Sequence, residues 1–393
     1  MNSVADSTTT VGALPPAVAP PLLAVMGVSW PVDAPVVAVS WDIDGNAAAF
    51  AMGNGHVLVA DTKWPQGPRV QPRPGGGVTV VPADEPAAQP VRAACHQGTC
   101  VALTAHPKGG FVSGGDDGRL VYLPRAASPT VLEHTTEEWI TALASHVEAG
   151  LAGGLAHAHG RTVHRRSSGG TSYIELPAPA TALAFSPDGL VLAVAHSGGV
   201  TLWPCIGATR LLAWPGYHRA LCWSPDGNYL VSAMQENALH GWRVSDGMDM
   251  EMSGYGGQPL SLSFAHDGRY LVTSGATRPV CWSFESPGNS QQPTQCGIAS
   301  KTPVTVVACH PRQSLIAVGY HNGAVLLCRS DSDDTLFVKG SGDGAVNALA
   351  WSGDGQRLAF GNQGGLGSWV KLPDALFRPS GNPSQSTSQE TLK

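Results

Sequence analysis

The chain has 393 residues, 42% hydrophobic and 13% charged, with 48 glycines, 31 prolines and a net charge of −6. That apolar content is enough for a large core, and the wealth of Gly and Pro favours many turns over long helices. The 23 basic residues are scattered, so no basic face for nucleic acid or an anionic membrane is expected, and no stretch of about 18 apolar residues suggests a membrane-spanning helix.

Residues 1–20 lack the basic start of a secretory signal and are broken by prolines, so they are expected to be disordered. Leu22–Val28, LLAVMGV, follows as a strand without an obvious local partner. The first of eight related segments, VSWDIDG, then ends at Gly45. The others are LTAHPKG ending at Gly109, LASHVEA at Ala149, LAFSPDG at Gly189, LCWSPDG at Gly227, LSFAHDG at Gly268, VACHPRQ at Gln313 and LAWSGDG at Gly355. After a long first interval the spacing stays near 40 residues, the length of one four-stranded antiparallel blade. Residues 62–92, rich in Pro and carrying a Gly run, account for that long interval and read as an irregular surface loop.

Within a copy, alternation puts Leu183 and Phe185 on one face of a strand and Ala182 and Ala184 on the other. Pro-Asp-Gly supplies a fixed φ, a capping carboxylate and a residue that tolerates positive φ. A second strand, a hairpin and a third strand follow, the last ending in Trp203, Trp242, Trp282 or Trp369, or in Tyr122 in the second copy. One aromatic per copy predicts wedge packing between neighbouring blades. Residues 374–393 contain no convincing strand and read as a disordered tail, so Leu22–Val28 is expected to complete the last blade.

These segments, best seen in VSGGDDGRLVYLP and in the S-P-D-G copies with their terminal Trp, resemble the WD40-repeat family. The resemblance implies an all-β, single closed β-propeller over residues 21–373, closed by an N-terminal strand. Counting copies gives eight blades, with seven, the usual number in the family, as the alternative. It also implies a hydrogen-bonded tetrad in each blade: a His before the first strand, a Ser or Thr, an Asp and the Trp. Only fragments of it map here. His218, Ser232 and Trp242 are present with Glu236 at the Asp position, and Asp116 stands with Tyr122 in place of Trp. Apolar packing is therefore expected to hold the blades.

No phosphate-binding loop, nucleophile elbow or metalloprotease motif occurs, so no catalytic residue and no cofactor are assigned. Eight cysteines are too few for a disulfide scaffold, and this points to a cytoplasmic protein. Cys95 and Cys100 flank His96 too loosely for a zinc knuckle. The resemblance implies a protein-interaction platform that binds a protein or peptide on one face. The candidate partner-binding residues are Asp117, His157, His196, Tyr217, His218, Arg219, Asn237, Tyr255, His321 and Asn362. Charge reversal at His196 and His321 together is expected to abolish binding without unfolding the ring. The alternative is a metal- or small-molecule-binding propeller, with His157, His159 and His196 as the histidines that could meet.

Overall fold

Each copy folds as an inner strand, a tight turn and a second strand because its apolar residues alternate and its turn residues suit a reversal. In LCWSPDG the Ser224 hydroxyl donates to Asp226 Oδ1 at 2.5 Å and accepts the Tyr229 amide at 2.9 Å, while Gly227 takes φ 72°. The Ser186–Asp188 and Ser352–Asp354 pairs repeat this arrangement. Gly355 is required twice over: its φ is +74°, and a Cβ there would lie 2.2 Å from Nε2 of His310.

The computed structural model describes residues 20–373, apart from 75–77, 127, 137, 157–159, 205–206, 286–291 and 331–333. Both segments expected to be disordered, 1–20 and 374–393, therefore fall almost wholly outside the described residues. Among those described, the strands form seven antiparallel sheets of four or more strands and one two-stranded hairpin. The first sheet holds Val36–Trp41, Ala47–Met52, His56–Asp61 and Val91–Ala94; the second holds Cys100–Ala105, Phe111–Gly115, Arg119–Leu123 and Thr130–His134. Trp139–His146, Gly150–Ala156, Arg161–Arg166 and Thr171–Glu175 make the third, so the weakest sequence copy still builds a regular sheet. The fifth contains Leu262–Phe264, Tyr270–Thr273, Val280–Ser283 and Thr294–Gln295, and the sixth Val304–Cys309, Leu315–Tyr320, Val325–Arg329 and Thr335–Lys339. Val346–Trp351, Arg357–Asn362, Leu366–Lys371 and the N-terminal strand Gly27–Pro31 form the seventh.

The count of eight blades is corrected to seven by the fourth sheet, which has six strands: Ala182–Phe185, Leu192–Trp203, Arg210–Trp223, Tyr229–Met234, Leu239–Arg243 and Asp249–Met252. Two copies, LAFSPDG and LCWSPDG, share it. The chain stays extended from Arg210 to Trp223, pairing first with residues 199–202 and then, from His218 onward, with Tyr229–Met234. No turn separates the outer strand of one copy from the inner strand of the next, so the two ladders merge.

Inner strands lie side by side in chain order, and Val346–Trp351 lies against Val36–Trp41. Side chains stitch them at two heights. Near their beginnings, the Thr141, Ser261 and Thr305 hydroxyls donate to carbonyls of the following inner strand or its approach at 2.7–3.1 Å, and Asn347 does the same to Val36. Near their ends, the indoles of Trp41, Trp223 and Trp351 donate backwards to Ala350, Ala184 and Ala308 at 2.8–3.0 Å.

Three other expectations are corrected. Leu22–Met26 is a short helix buried through Leu22 and Met26 against the last two sheets, and the pairing strand is Gly27–Pro31, with Gly27 opposite Val370 and Pro31 opposite Leu366. Residues 62–92 are not simply loop. They contain the hairpin Arg69–Pro72/Val78–Val81, whose Val70 and Val80 pack against the cluster formed by Leu22, Met26 and core residues of the sixth and seventh sheets. The terminal aromatics also do not share one position. Trp242 and Trp282 sit opposite Leu230 and Leu271; Trp242 clusters with Ala193, Ala195 and Leu202 of the preceding copy in the same sheet and Trp282 with Val231 and Leu239 of the fourth sheet, whereas Trp369 sits opposite Ala359. A one-residue difference in register turns it to the other face, towards Phe50, Trp30 and Trp64.

Candidate functional site

In every sheet the inner strand begins where the second strand ends, as in the pairs Val304–Tyr320, Val346–Asn362 and His218–Met234. One face of the ring is therefore made of inner-strand entries and of the hairpins after the second strands. The described candidate residues all lie on or just under this face, but they divide into two groups.

The first group holds the hairpins together. His196 is 1% exposed; its Nδ1 donates to the Ser197 carbonyl and its Nε2 accepts from the Thr201 hydroxyl, both at 2.9 Å. His218 is fully buried, donating from Nε2 to the Trp214 carbonyl at 3.1 Å and accepting from Ser232 at 2.6 Å. Burial lowers the pKa of both rings, so they stay neutral in the fold. Asn362 is 1% exposed and accepts the Leu366 amide at 2.8 Å. Tyr255 shares a 2.7 Å hydrogen bond with Thr273 and accepts the Trp282 indole at 2.6 Å, and burial pushes its hydroxyl up to about 12.

Asp117 belongs with these, in a network that the sequence assigned to Asp116. His96 Nδ1 donates to Asp117 Oδ1 at 2.9 Å, and its Nε2 accepts from Ser113 at 2.9 Å. Partial burial raises the Asp117 carboxyl, but the Gln97 amide, the His96 ring and the Arg119 amide outweigh it and hold the group below its ordinary range. Asp116 instead accepts the Thr99 amide at 2.8 Å. The expectation of blades held by apolar packing is corrected to that extent. A His–Ser–Asp triad holds the second sheet, and a Tyr–Thr–Trp triad replaces it in the fifth. Charge reversal at His196 would place a charge in the core, so it does not test binding.

The second group is presented to solvent. Tyr217 is 41% exposed, Arg219 and Asn237 are exposed, and Asn237 holds φ 56° in its hairpin. Tyr217 and Arg219 are tied into one patch through Gln235 and Gln258. The Gln235 amide donates to the Tyr217 carbonyl at 2.9 Å, Gln258 Nε2 donates to the Gln235 carbonyl at 2.9 Å, and Arg219 donates to Gln258 Oε1 at 3.3 Å. Exposed His321 lines a cavity of ≈ 580 Å³ together with Leu260, Ser261, Thr305, Asn347 and Gln363. Leu260, 53% exposed, lines this cavity and lies two residues after Gln258 in the chain. His157 and His159 lie outside the described residues. Among those described, no group of three or more His, Cys, Asp or Glu side chains is placed to hold a metal ion.

A family model described as the anaphase-promoting complex subunit 4 WD40 domain matches residues 307–375, and the WD domain, G-beta repeat model matches residues 216–243. Together with the ring of antiparallel sheets, these matches decide the family. The chain is a WD40-repeat β-propeller. The crystal structure of the computationally designed Ika8 protein shares the fold, with a TM-score of 0.63 and 17% identity over 87% of this chain and 98% of that one.

WD40 propellers generally act as protein-interaction scaffolds and are typically non-catalytic. In this propeller the sequence missed Gln258 and Leu260. Leu260 alternates in phase with Leu262 and Phe264 and so reads as core, but it precedes the strand, which begins at Leu262. No helix among the described residues is long and apolar enough to cross a membrane.

Proposed function

We propose that this propeller is a non-catalytic interaction platform that takes a protein or peptide segment across Tyr217, Arg219, Gln258 and Leu260, with His321 at the adjoining cavity. The observation that carries this reading is the patch itself: Tyr217 and Arg219, both exposed on the extended segment Arg210–Trp223, with exposed Leu260 two residues after the Gln258 that Arg219 contacts. Aromatic and Arg side chains dominate binding energy where a partner can desolvate them, and a rigid scaffold lowers the entropy cost of engaging them. Among the described residues the Arg219 guanidinium donates to a neutral amide oxygen, Gln258 Oε1 at 3.3 Å, which leaves its charge available to a carboxylate or backbone carbonyl of a partner. The family description of one matching model, a subunit of a complex, agrees with a role in assembly. A cytoplasmic location fits the same reading.

The test begins with the tagged chain purified from its host. A co-purifying protein is identified, produced separately and titrated against wild type, Tyr217→Ala and Arg219→Glu. Each substitution is expected to cost about 2 kcal/mol, roughly thirty-fold in Kd, with the thermal midpoint unchanged. Wild-type affinity in both variants would place the contact elsewhere on the ring. The candidates Asp117, His196, His218, Tyr255 and Asn362 then act by shaping the hairpins.

A further inference from the structure

Behind the strand Val280–Ser283, three thiols meet in a part of the molecule that the proposed platform does not use. Cys281 is on the third strand of the fifth sheet, Cys296 just follows its outer strand, and Cys328 is on the third strand of the sixth. All three are buried within one apolar cluster and none is in a disulfide. The Cys281 thiol donates to the Cys296 sulfur at 3.3 Å, and Cys328 donates to the same sulfur. Arg278 donates to the carbonyls of Cys296 and Gly297 at 3.3 and 2.5 Å, bringing a guanidinium beside this thiol. Cys296 is thus the acceptor for two donors and the neighbour of a cation, an environment that favours the thiolate.

Access follows from the outer strand. Thr294–Gln295 is two residues long and exposed; among the described residues its ladder pairs are Val280–Gln295 and Cys281–Thr294, continued by one bond from the Cys296 amide to the Pro279 carbonyl. Such an edge opens locally at far lower cost than the rest of the sheet. We propose that Cys281 and Cys296 form a hydroperoxide-driven disulfide that staples the outer strand of the fifth sheet to its third strand, with Cys296 attacking first.

The steps balance. The Cys296 thiolate attacks one oxygen of the hydroperoxide, the O–O bond breaks, and the other oxygen leaves as hydroxide or alkoxide and takes a proton from solvent. Cys296 becomes a sulfenic acid. Cys281, its proton passing to solvent, then attacks the Cys296 sulfur; the S–S bond forms, the S–O bond breaks and hydroxide leaves as water. Two thiols are oxidised and one peroxide bond is reduced.

Trypsin distinguishes the alternatives, because Cys281 and Cys296 fall in one peptide, Tyr270–Lys301, and Cys328 in another, Gln313–Arg329. The folded full-length chain is titrated with hydrogen peroxide, alkylated under denaturing conditions and mapped without reductant. The expected product is peptide Tyr270–Lys301 lighter by two hydrogens and unalkylated, with Cys328 alkylated. Cys328→Ser should leave this product intact, whereas Cys281→Ser should stop it and leave a dimedone-reactive sulfenic acid at Cys296. A covalent link between the two peptides overturns the assignment. So does persistence of all three free thiols in peroxide that leaves the circular dichroism spectrum unchanged.

Discussion

His240 shows what burial does to a single side chain in this ring. It is fully buried, stacks on Trp214 with ring centroids 3.7 Å apart, and has no hydrogen-bond partner on either nitrogen among the described residues. Asp249 lies 3.5 Å from Nε2 and favours the charged ring, but burial dominates and lowers its pKa to about 4. Between that value and 6.5 the unfolded chain binds a proton that the folded chain does not, so stability falls as pH drops through this window. Burial shifts His96, His164, His196, His218 and His310 in the same direction. The melting temperature should therefore fall steadily from pH 7 to pH 5. His240→Phe, which keeps the stack, should remove up to one proton's share of the slope, about 1.4 kcal/mol per pH unit; an unchanged slope would assign the acid sensitivity to the other histidines. Asp117 works in the opposite sense, by accepting donors. Asp117→Ala strands the His96 ring and the Gln97 amide and should cost about 1–3 kcal/mol in denaturant unfolding, and a loss no larger than that of an exposed Asp→Ala would mean that solvent replaces the carboxylate.

At the scale of the element, the turns were legible in the sequence and the joints between copies were not. Ser-x-Asp-Gly specifies its own local geometry, so each such copy became an inner strand, a turn and a second strand. The segment WPGYH, between two copies, carries Pro and Gly, yet the chain stays extended through it: Trp214–Gly216 bulge between Ala213 and Tyr217, which pair with Gly199 and Ser197, and His218 then pairs with Met234. The N-terminal strand is a similar case. Gly27 fits because a Cβ would come within 2.7 Å of the Trp369 carbonyl, a contact set by a residue more than 340 positions away. Deleting residues 20–31 bares the edge of Leu366–Lys371 and uncovers Trp369 and Phe360. The truncated chain should elute as oligomers or aggregate in size-exclusion chromatography. A monomeric, equally stable product would show that the strand is dispensable.

Across the whole molecule, three neighbouring pairs of inner strands are joined twice among the described residues, by a hydroxyl or an amide near their beginnings and by an indole near their ends. The indole joint explains why three inner strands end in Trp: each donates to a carbonyl of the preceding one. Cys309 occupies the same position in its copy, with its thiol 3.3 Å from the Ser263 carbonyl. This scaffold separates residues that fix hairpins from residues that face solvent, a division on which the choice of binding residues turns. His196 and His321 occupy the same place in their copies, yet one is buried under its hairpin and the other lines a cavity.

The sequence by itself determined the period, the turn chemistry and the alternation of each inner strand, because these depend on neighbours a few residues apart. The place of Tyr217, Arg219, Asn237 and His321 in the repeat put them at one end of their sheets together with His196, His218 and Asn362, but did not separate the exposed residues from the buried ones. Tertiary structure alone decided the number of sheets, the partner of the N-terminal strand, the choice of Asp117 over Asp116, and the meeting of Cys281, Cys296 and Cys328. Each of these depends on register between strands distant in the chain, where a shift of one residue turns a side chain from core to solvent.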